Sequence, residues 1–167
     1  MAVETSLSVA LRVNESITSE NQAGPVSHIF TAFEGLTLAN GTGAGQADKV
    51  WSDRRTLAGA ASETLDLAGS LAPLFGAGTV TFAKVKIVAL YNRSAAQILT
   101  YRMGAANGWG GIVGGTTDPL VIKPGGCVLW YDPTGTTVTA GTGDIILITN
   151  GAGSSCDYDI FVVGTSV

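Results

Sequence analysis

Apolar and polar residues alternate along most of this chain with the two-residue period of a β-strand. The segment SLSVALRVN at 6–14 places Leu7, Val9 and Leu11 on one face and polar or small residues on the other. Such alternation predicts a half-buried strand, because successive side chains of a strand point to opposite faces. A polar loop follows, so residues 1–25 are predicted to be an N-terminal arm, or a first strand with its loop.

The rest of the chain divides into further short segments, each bounded by Gly, Pro, Asn or Asp, as turns require. About ten short strands spaced by roughly 8 to 12 residues are typical of an antiparallel sandwich or barrel. We therefore predict an all-β protein with one domain over 1–167, an antiparallel β-sandwich of jelly-roll-like architecture. Beyond the first, the predicted strands lie at 26–39 (one or two strands), 48–57, 63–67, 79–92, 97–103, 119–122, 127–131, 137–140, 144–150 and 157–163.

The segment at 79–92 changes phase along its length. Val80 and Phe82 share one face, whereas the odd-numbered residues of 85–91 share the other. A slip of one residue within a strand indicates a β-bulge or a bend. The slip predicts this irregularity at Ala83–Lys84.

Composition narrows the classes of function. Hydrophobic residues make up 46% of the 167 residues and charged residues 13%, with a net charge of −4. This balance excludes an unstructured chain, and the basic residues are too scattered to form a nucleic-acid-binding face. The apolar runs are too short for a membrane helix, and the acidic N-terminus does not resemble a secretory signal. A surface so poor in charge predicts burial against another subunit.

Residues that usually carry chemistry are scarce. His28 is the only histidine, and the sequence has no GxSxG motif that would supply a nucleophile for it. Cys127 and Cys156 are far apart and form no CxxC motif, so they are either small buried residues or a disulfide pair. No catalytic, metal-binding or cofactor-binding residue is predicted, and the chain is interpreted as a non-enzyme.

Two charged pairs leave alternatives open. Asp157 and Asp159 share one strand face, where they form either an acid and base pair or an ordinary solvated face. Lys84 and Lys86 also share a face. They are expected to pair with carboxylates across the sheet, and contact with a glycan or phosphate is the alternative.

Trp109 lies in the glycine-rich segment GAANGWGGIVGG at 104–115, which has no strand pattern. A tryptophan on such a loop either contacts a partner or a sugar, or fills the core. Trp51 and Trp130 lie in strand-like runs and are expected in the core or in seams between subunits. The first strand is a candidate for pairing with a neighbouring sheet. The candidate partner or interface contacts are therefore Trp109, Trp51, Leu7, Val9 and Leu11.

The stretch 47–92, followed by TVTAGTGDIILITN at 137–150, resembles the small virion proteins of tailed bacteriophages. The features that carry the resemblance are an LDL strand at 65–67, an FAKVK strand that ends in Asn92, and a PGG turn at 124–126. They fall within residues 47–150 and describe strands and a turn, not a functional site. The resemblance implies a β-rich protein without enzymatic activity and supplies no active-site residues.

The resemblance and the composition lead to one functional prediction. The chain is expected to be a capsid decoration or cement subunit, made in the host cytoplasm and placed on the virion surface. Its partners would be copies of itself, for example in a trimer, and a major capsid protein, with no nucleic acid or membrane. The alternative is a tail or head-fibre module that binds a receptor or host surface glycans through Trp109 and loops.

Overall fold

The computed structural model describes residues 5–7, 11–17, 26–32, 35–69, 71–73 and 78–167; only the backbone is described within 5–32 and at Leu36. In these ranges the chain forms strands, turns and loops and no helix. The all-β prediction is confirmed. The strands are β1 (Thr5–Leu7), β2 (Leu11–Ile17), β3 (Val26–Ala32), β4 (Leu36–Asn40), β5 (Gln46–Ala47), β6 (Lys49–Leu57), β7 (Ser62–Asp66), β8 (Lys84–Asn92), β9 (Leu99–Met103), β10 (Leu120–Ile122), β11 (Cys127–Thr137), β12 (Ile145–Asn150) and β13 (Cys156–Thr165).

Two antiparallel sheets of four strands each dominate the structure. One has the order β11-β8-β13-β6 and the other β10-β9-β12-β7. These sheets contain the eight strands β6 to β13. In chain order, the first pairs with the last (β6 with β13), the second with the seventh (β7 with β12), the third with the sixth (β8 with β11) and the fourth with the fifth (β9 with β10). The strands β6 to β13 are thus paired like one long hairpin that is folded over on itself. Pairing of β8 with β13 and of β9 with β12 then completes the two sheets.

One apolar core draws on both sheets, which gives the molecule a β-sandwich-like arrangement. Alternate residues of each strand enter it, as the period-two patterns predict. Buried members from the first sheet include Trp51, Val88, Leu90, Tyr158, Ile160 and Val162, and those from the second include Leu65, Leu99, Tyr101, Ile146 and Ile148.

Strand β8 contains a bulge at Lys86. Val163 of β13 is opposite Ile87, but the next residue, Gly164, is opposite Val85, so Lys86 is an additional residue in the ladder. The register with β11 shifts at the same place. The predicted irregularity therefore exists, but it lies two residues beyond Ala83–Lys84.

The bulge also changes which residues of β8 enter the core. Val85, Val88 and Leu90 lie in the core cluster, whereas Ile87 belongs to a second cluster on the other side of the sheet. The prediction that the odd-numbered residues of 85–91 share one face is wrong at Val85. The physical reason is that an additional residue in one strand reverses the alternation beyond it.

The N-terminal strands lie outside the two main sheets. β1 pairs with β4, β4 pairs with β5, and β2 and β3 form a separate hairpin. The segment predicted as one strand at 6–14 thus contributes to both β1 and β2. Leu38 and Ala47, from β4 and β5, pack with Ile87 and Val163 on the side of the first sheet that faces away from the core.

A polar cluster closes one edge between the two sheets. Glu63 on β7 accepts hydrogen bonds from the Tyr158 hydroxyl and from Arg55 Nε, the latter at 2.6 Å. Arg55 also donates to Asp53 at 2.9 Å. Tyr158 is fully buried, and its pKa is raised by burial and then by the hydrogen bond to Glu63. The cluster joins the edge strands β6 and β7, which belong to different sheets.

Replacing Glu63 is expected to destabilise the fold. Glu63→Ala leaves the buried Tyr158 hydroxyl without its acceptor, so we expect the free energy of unfolding to fall by about 2 kcal/mol. Glu63→Gln keeps an acceptor oxygen and should lose less, and Asp53→Ala, which removes a half-exposed ion pair, should lose less than about 1 kcal/mol. Urea denaturation measures all three. Equal losses for Glu63→Ala and Asp53→Ala would contradict this role of Glu63.

Candidate interaction surface

The sheet β11-β8-β13-β6 exposes apolar side chains on the face directed away from the core. Along these strands the outward residues alternate with core residues such as Trp51, Leu90 and Ile160. Soluble antiparallel sheets usually cover such a face with polar residues. Here large apolar side chains are more than a third exposed: Val50 at 43%, Tyr91 at 39%, Leu129 at 39%, Tyr131 at 37% and Phe161 at 49%.

The strand registers place these residues in rows, which we call the outer face. One row runs Arg54, Asp159, Tyr91 and Cys127 across the four strands, and the next runs Ser52, Phe161, Ala89 and Leu129. The rows consist of directly opposed residues of neighbouring strands, whose side chains are close enough to form one continuous surface.

Charged residues form a cluster at one end of the outer face. Asp159 accepts a hydrogen bond from Arg54 Nε at 2.7 Å and forms an ion pair with Arg93 Nε at 2.9 Å. The hydrogen bond from Arg54 holds the pKa of Asp159 below its usual range, with smaller contributions from the charges of Arg54 and Arg93. Asp157 accepts a hydrogen bond from the Thr56 hydroxyl at 2.6 Å. Asp157 and Asp159, for which the sequence left open an acid and base pair or an ordinary solvated face, are therefore engaged in two separate sets of contacts.

The opposite end of the outer face is already covered by the same chain. Leu38 and Ala47 lie over Ile87 and Val163, which are only 3% and 5% exposed. An apolar strip centred on Phe161, which we call the open strip, therefore lies between this covered end and the charged cluster. Ala89 and Leu129 belong to the same open strip.

Lys86 does not have the role that its spacing from Lys84 predicted. It is fully buried, and its Nζ donates to the carbonyl oxygen of Gly43 in the loop between β4 and β5. Burial lowers the pKa of Lys86, and the neighbouring charge of Lys84 lowers it further. The bulge directs this side chain under the loop, so neither a cross-strand carboxylate pair nor a surface glycan or phosphate contact describes Lys86.

Trp109 occupies the second of its two predicted positions, the core. It is 1% exposed, its Nε1 donates to the carbonyl of Thr137 at 3.2 Å, and its ring is perpendicular to that of Trp130 at 5.4 Å between centroids. A Cβ at Gly111 would lie 2.0 Å from the indole. The glycines of GWGG thus allow the loop to close over the ring, and the indole does not form part of the surface.

The other candidate contacts divide into two groups. Trp51 is 3% exposed, and its Nε1 donates to the carbonyl of Ala72 at 3.0 Å, so it too belongs to the core. The backbone places Leu7 opposite Leu36 and Leu11 opposite Ala32. Val9 lies outside the described residues, and a contact role for Leu7, Val9 and Leu11 stays a prediction.

The remaining candidates are also separated in space. His28 lies on β3 opposite Glu15. Cys127 and Cys156 are both free: Cys127 is exposed on the outer face, whereas Cys156 is buried and donates from Sγ to Asn92 Oδ1 at 3.3 Å. The interpretation of both cysteines as buried residues is therefore wrong for Cys127, which lies in the outward phase of β11.

The part of the outer face near β6 forms a shallow depression. Its volume is about 290 Å³, and its walls combine the ring of Phe161 with Ser52, Asp53, Arg54 and Asp159. Within the described residues, no three His, Cys, Asp or Glu side chains are grouped in a way that could hold a metal ion. The same residues include no helix of the length and apolarity that crossing a membrane requires.

Most of the outer face could not be identified from the sequence, because its apolar residues alternate with equally apolar core residues. A usable signal exists in β13, where Phe161 shares the phase of Asp157 and Asp159. Period-two patterning shows which residues share a face, but it shows which face is inward only if the other face is polar. No protein-family model, curated protein or solved structure matches this chain.

Proposed function

We propose that this chain is a non-enzymatic structural protein of a virus particle, a decoration or cement subunit on the capsid of a tailed bacteriophage. The observation that carries the proposal is the open apolar strip of the outer face, since a face of this kind is typical of a surface that another protein covers. The low charged fraction of 13% agrees with a protein surface used mainly for contacts. The resemblance of residues 47–150 to small virion proteins supports the particle as the place of assembly.

We further propose that the sandwich is a jelly roll. Numbered one to eight, strands β6 to β13 have the sheet orders one-eight-three-six and two-seven-four-five. Pairing of first with last, second with seventh, third with sixth and fourth with fifth supports a long hairpin rolled into two sheets. Jelly rolls occur in viral capsid domains, but the fold alone does not assign a function.

In this role the subunit works through the area that it buries. Apolar surface contributes about 25 cal/mol per Å² removed from water, and a stable contact buries about 800 Å² on each partner. The two central strands, β8 and β13, are hydrogen-bonded to neighbours on both sides, so little conformational entropy has to be lost on assembly. Copies of this chain and the major capsid protein are the proposed partners, on the particle surface.

The proposal is tested by binding to particles. The purified protein is mixed with capsids of the phage that encodes it, sedimented, and located by electron microscopy. We expect the wild type and Val121→Ser to co-sediment, because Val121 is 47% exposed but lies on the other sheet. The double variant Phe161→Ser/Leu129→Ser, which loses the apolar strip that a second copy or the capsid protein would cover on the particle, should bind at least about tenfold less well. Failure of the wild type to bind the particle would overturn the proposal.

The depression beside Phe161 favours a second candidate, a module that binds receptor glycans. An exposed aromatic ring next to carboxylate and hydroxyl groups can stack on a sugar and hydrogen-bond its hydroxyls. Trp109 cannot serve this purpose because its ring is buried. A glycan array separates the candidates: specific binding that is lost in Asp53→Ala, without binding to capsids, would favour the second.

A further inference from the structure

The open strip of the outer face has a ridge, a groove and a second ridge. Phe161, Ala89 and Leu129 are direct neighbours on β13, β8 and β11. The two large side chains are 49% and 39% exposed. The methyl group of Ala89 between them leaves a groove, so the strip offers both shapes that interdigitating sheets require.

We propose that the outer face packs against the same face of a second copy of this chain across a two-fold axis. The inference deepens the proposed function, on which it rests, because it names the partner that covers the open strip. In such an isologous contact each patch meets its own copy. The ridge formed by Phe161 of one copy then enters the groove over Ala89 of the other.

The charges beside the strip suit a second copy. Arg54 and Arg93 carry positive charges, and Asp157 and Asp159 carry negative charges, within the cluster at one end of the outer face. Two charges of each sign give this cluster no net charge. Two copies of this face can therefore approach without the repulsion that a single-sign patch would produce. A strongly basic or acidic partner would find no complementary excess of charge here.

The covered end of the sheet supplies a further argument. Leu38 and Ala47 already show that a β-layer can pack on this side of the sheet, over Ile87 and Val163. A second sheet placed on the open strip would continue that apolar layer from its edge. The contact would then extend from residues of β4 and β5 to the charged cluster, with Phe161 and Leu129 near its centre.

Self-association of the purified chain tests the inference without any particle. Sedimentation equilibrium over a concentration series should give a dimer for the wild type. Phe161→Ser should raise the dissociation constant about 100-fold, because the ring is lost from both copies. Val121→Ser, an exposed apolar substitution on the other sheet, should dimerise like the wild type. Thermal unfolding confirms that each variant is folded.

A second variant and a second measurement keep the test independent of lost apolar area. Ala89→Gln fills the groove and should also prevent dimerisation. Alkylation of the Cys127 thiol, which is exposed on the outer face, should slow as the concentration of wild type rises. Cys156 is buried and gives no comparable signal.

The outcomes separate this inference from the proposed function. A monomer at all concentrations, a trimer, or a dimer that survives both Phe161→Ser and Ala89→Gln would overturn the two-fold contact. Particle binding by such a monomer or trimer would leave the decoration role intact. A dimer that meets these expectations but binds no particle would support the contact and overturn the decoration role.

Discussion

Asn92→Asp is expected to lower the free energy of unfolding by about 3 kcal/mol at neutral pH, although the two side chains have nearly the same shape. Asn92 is fully buried at the end of β8. Its Nδ2 donates towards the carbonyl oxygens of Gln97, Ile122 and Lys123 at 2.8, 3.0 and 3.2 Å. An aspartate would direct a carboxylate oxygen at these three acceptors. Urea denaturation at neutral pH measures the loss.

The pH dependence of this variant identifies the cause. A carboxyl group surrounded by carbonyl oxygens is stabilised in its protonated form, so its folded pKa should lie above the unfolded value of about 3.9. The folded state then binds more protons than the unfolded state as the pH rises above that value, and stability falls with rising pH. The difference from wild type should therefore be smallest below about pH 4 and largest at neutral pH.

A matched control is available on an exposed turn. Asn107 lies in a left-handed turn, with a φ of 55°. Both Asn and Asp tolerate this conformation, so Asn107→Asp should change stability by no more than about 0.5 kcal/mol. A similar small change in Asn92→Asp would show that the three carbonyl contacts do not stabilise the fold. Asn150, whose Nδ2 also faces three carbonyls, offers a repetition of the test at the end of β12.

The sequence predicted the strands well where one face is polar. In β13 the alternation of Asp157 and Asp159 with Tyr158 and Ile160 assigned the acids to the outside and the apolar residues to the core, as observed. The two apolar residues belong to a strand paired on both sides. Local alternation is sufficient in such a strand, because only one face can be buried without burying charge.

The same reasoning was insufficient for β8, where both faces are apolar. Val88 and Leu90 enter the core while Ile87 packs under β4 and β5, and the bulge at Lys86 changes the phase between them. The cover on Ile87 comes from Leu38 and Ala47, about forty to fifty positions earlier in the chain. No local pattern reports a contact of that separation, and the open strip of the outer face depends on where this cover ends.

The ion-pair partners of single charged side chains could not be predicted from the sequence either. Residue spacing placed Asp157 and Asp159 on one face correctly. It could not show that Arg93, from beyond the end of β8, would join Arg54 in holding Asp159. The ion pairs depend on the order of strands within the sheet, which the spacing of residues along one strand does not contain.

Trp109→Ala is expected to cost about 3 to 5 kcal/mol of stability, the range for removing a large buried aromatic side chain. The substitution leaves a cavity beside Trp130 and removes the hydrogen bond from Nε1 to the carbonyl of Thr137. Trp109→Phe fills most of the cavity and should lose less. Val121→Ala, at an exposed position, should lose no more than about 0.5 kcal/mol. Thermal and urea denaturation of the three variants test this order. An unchanged stability of Trp109→Ala would contradict the role of the indole in the core.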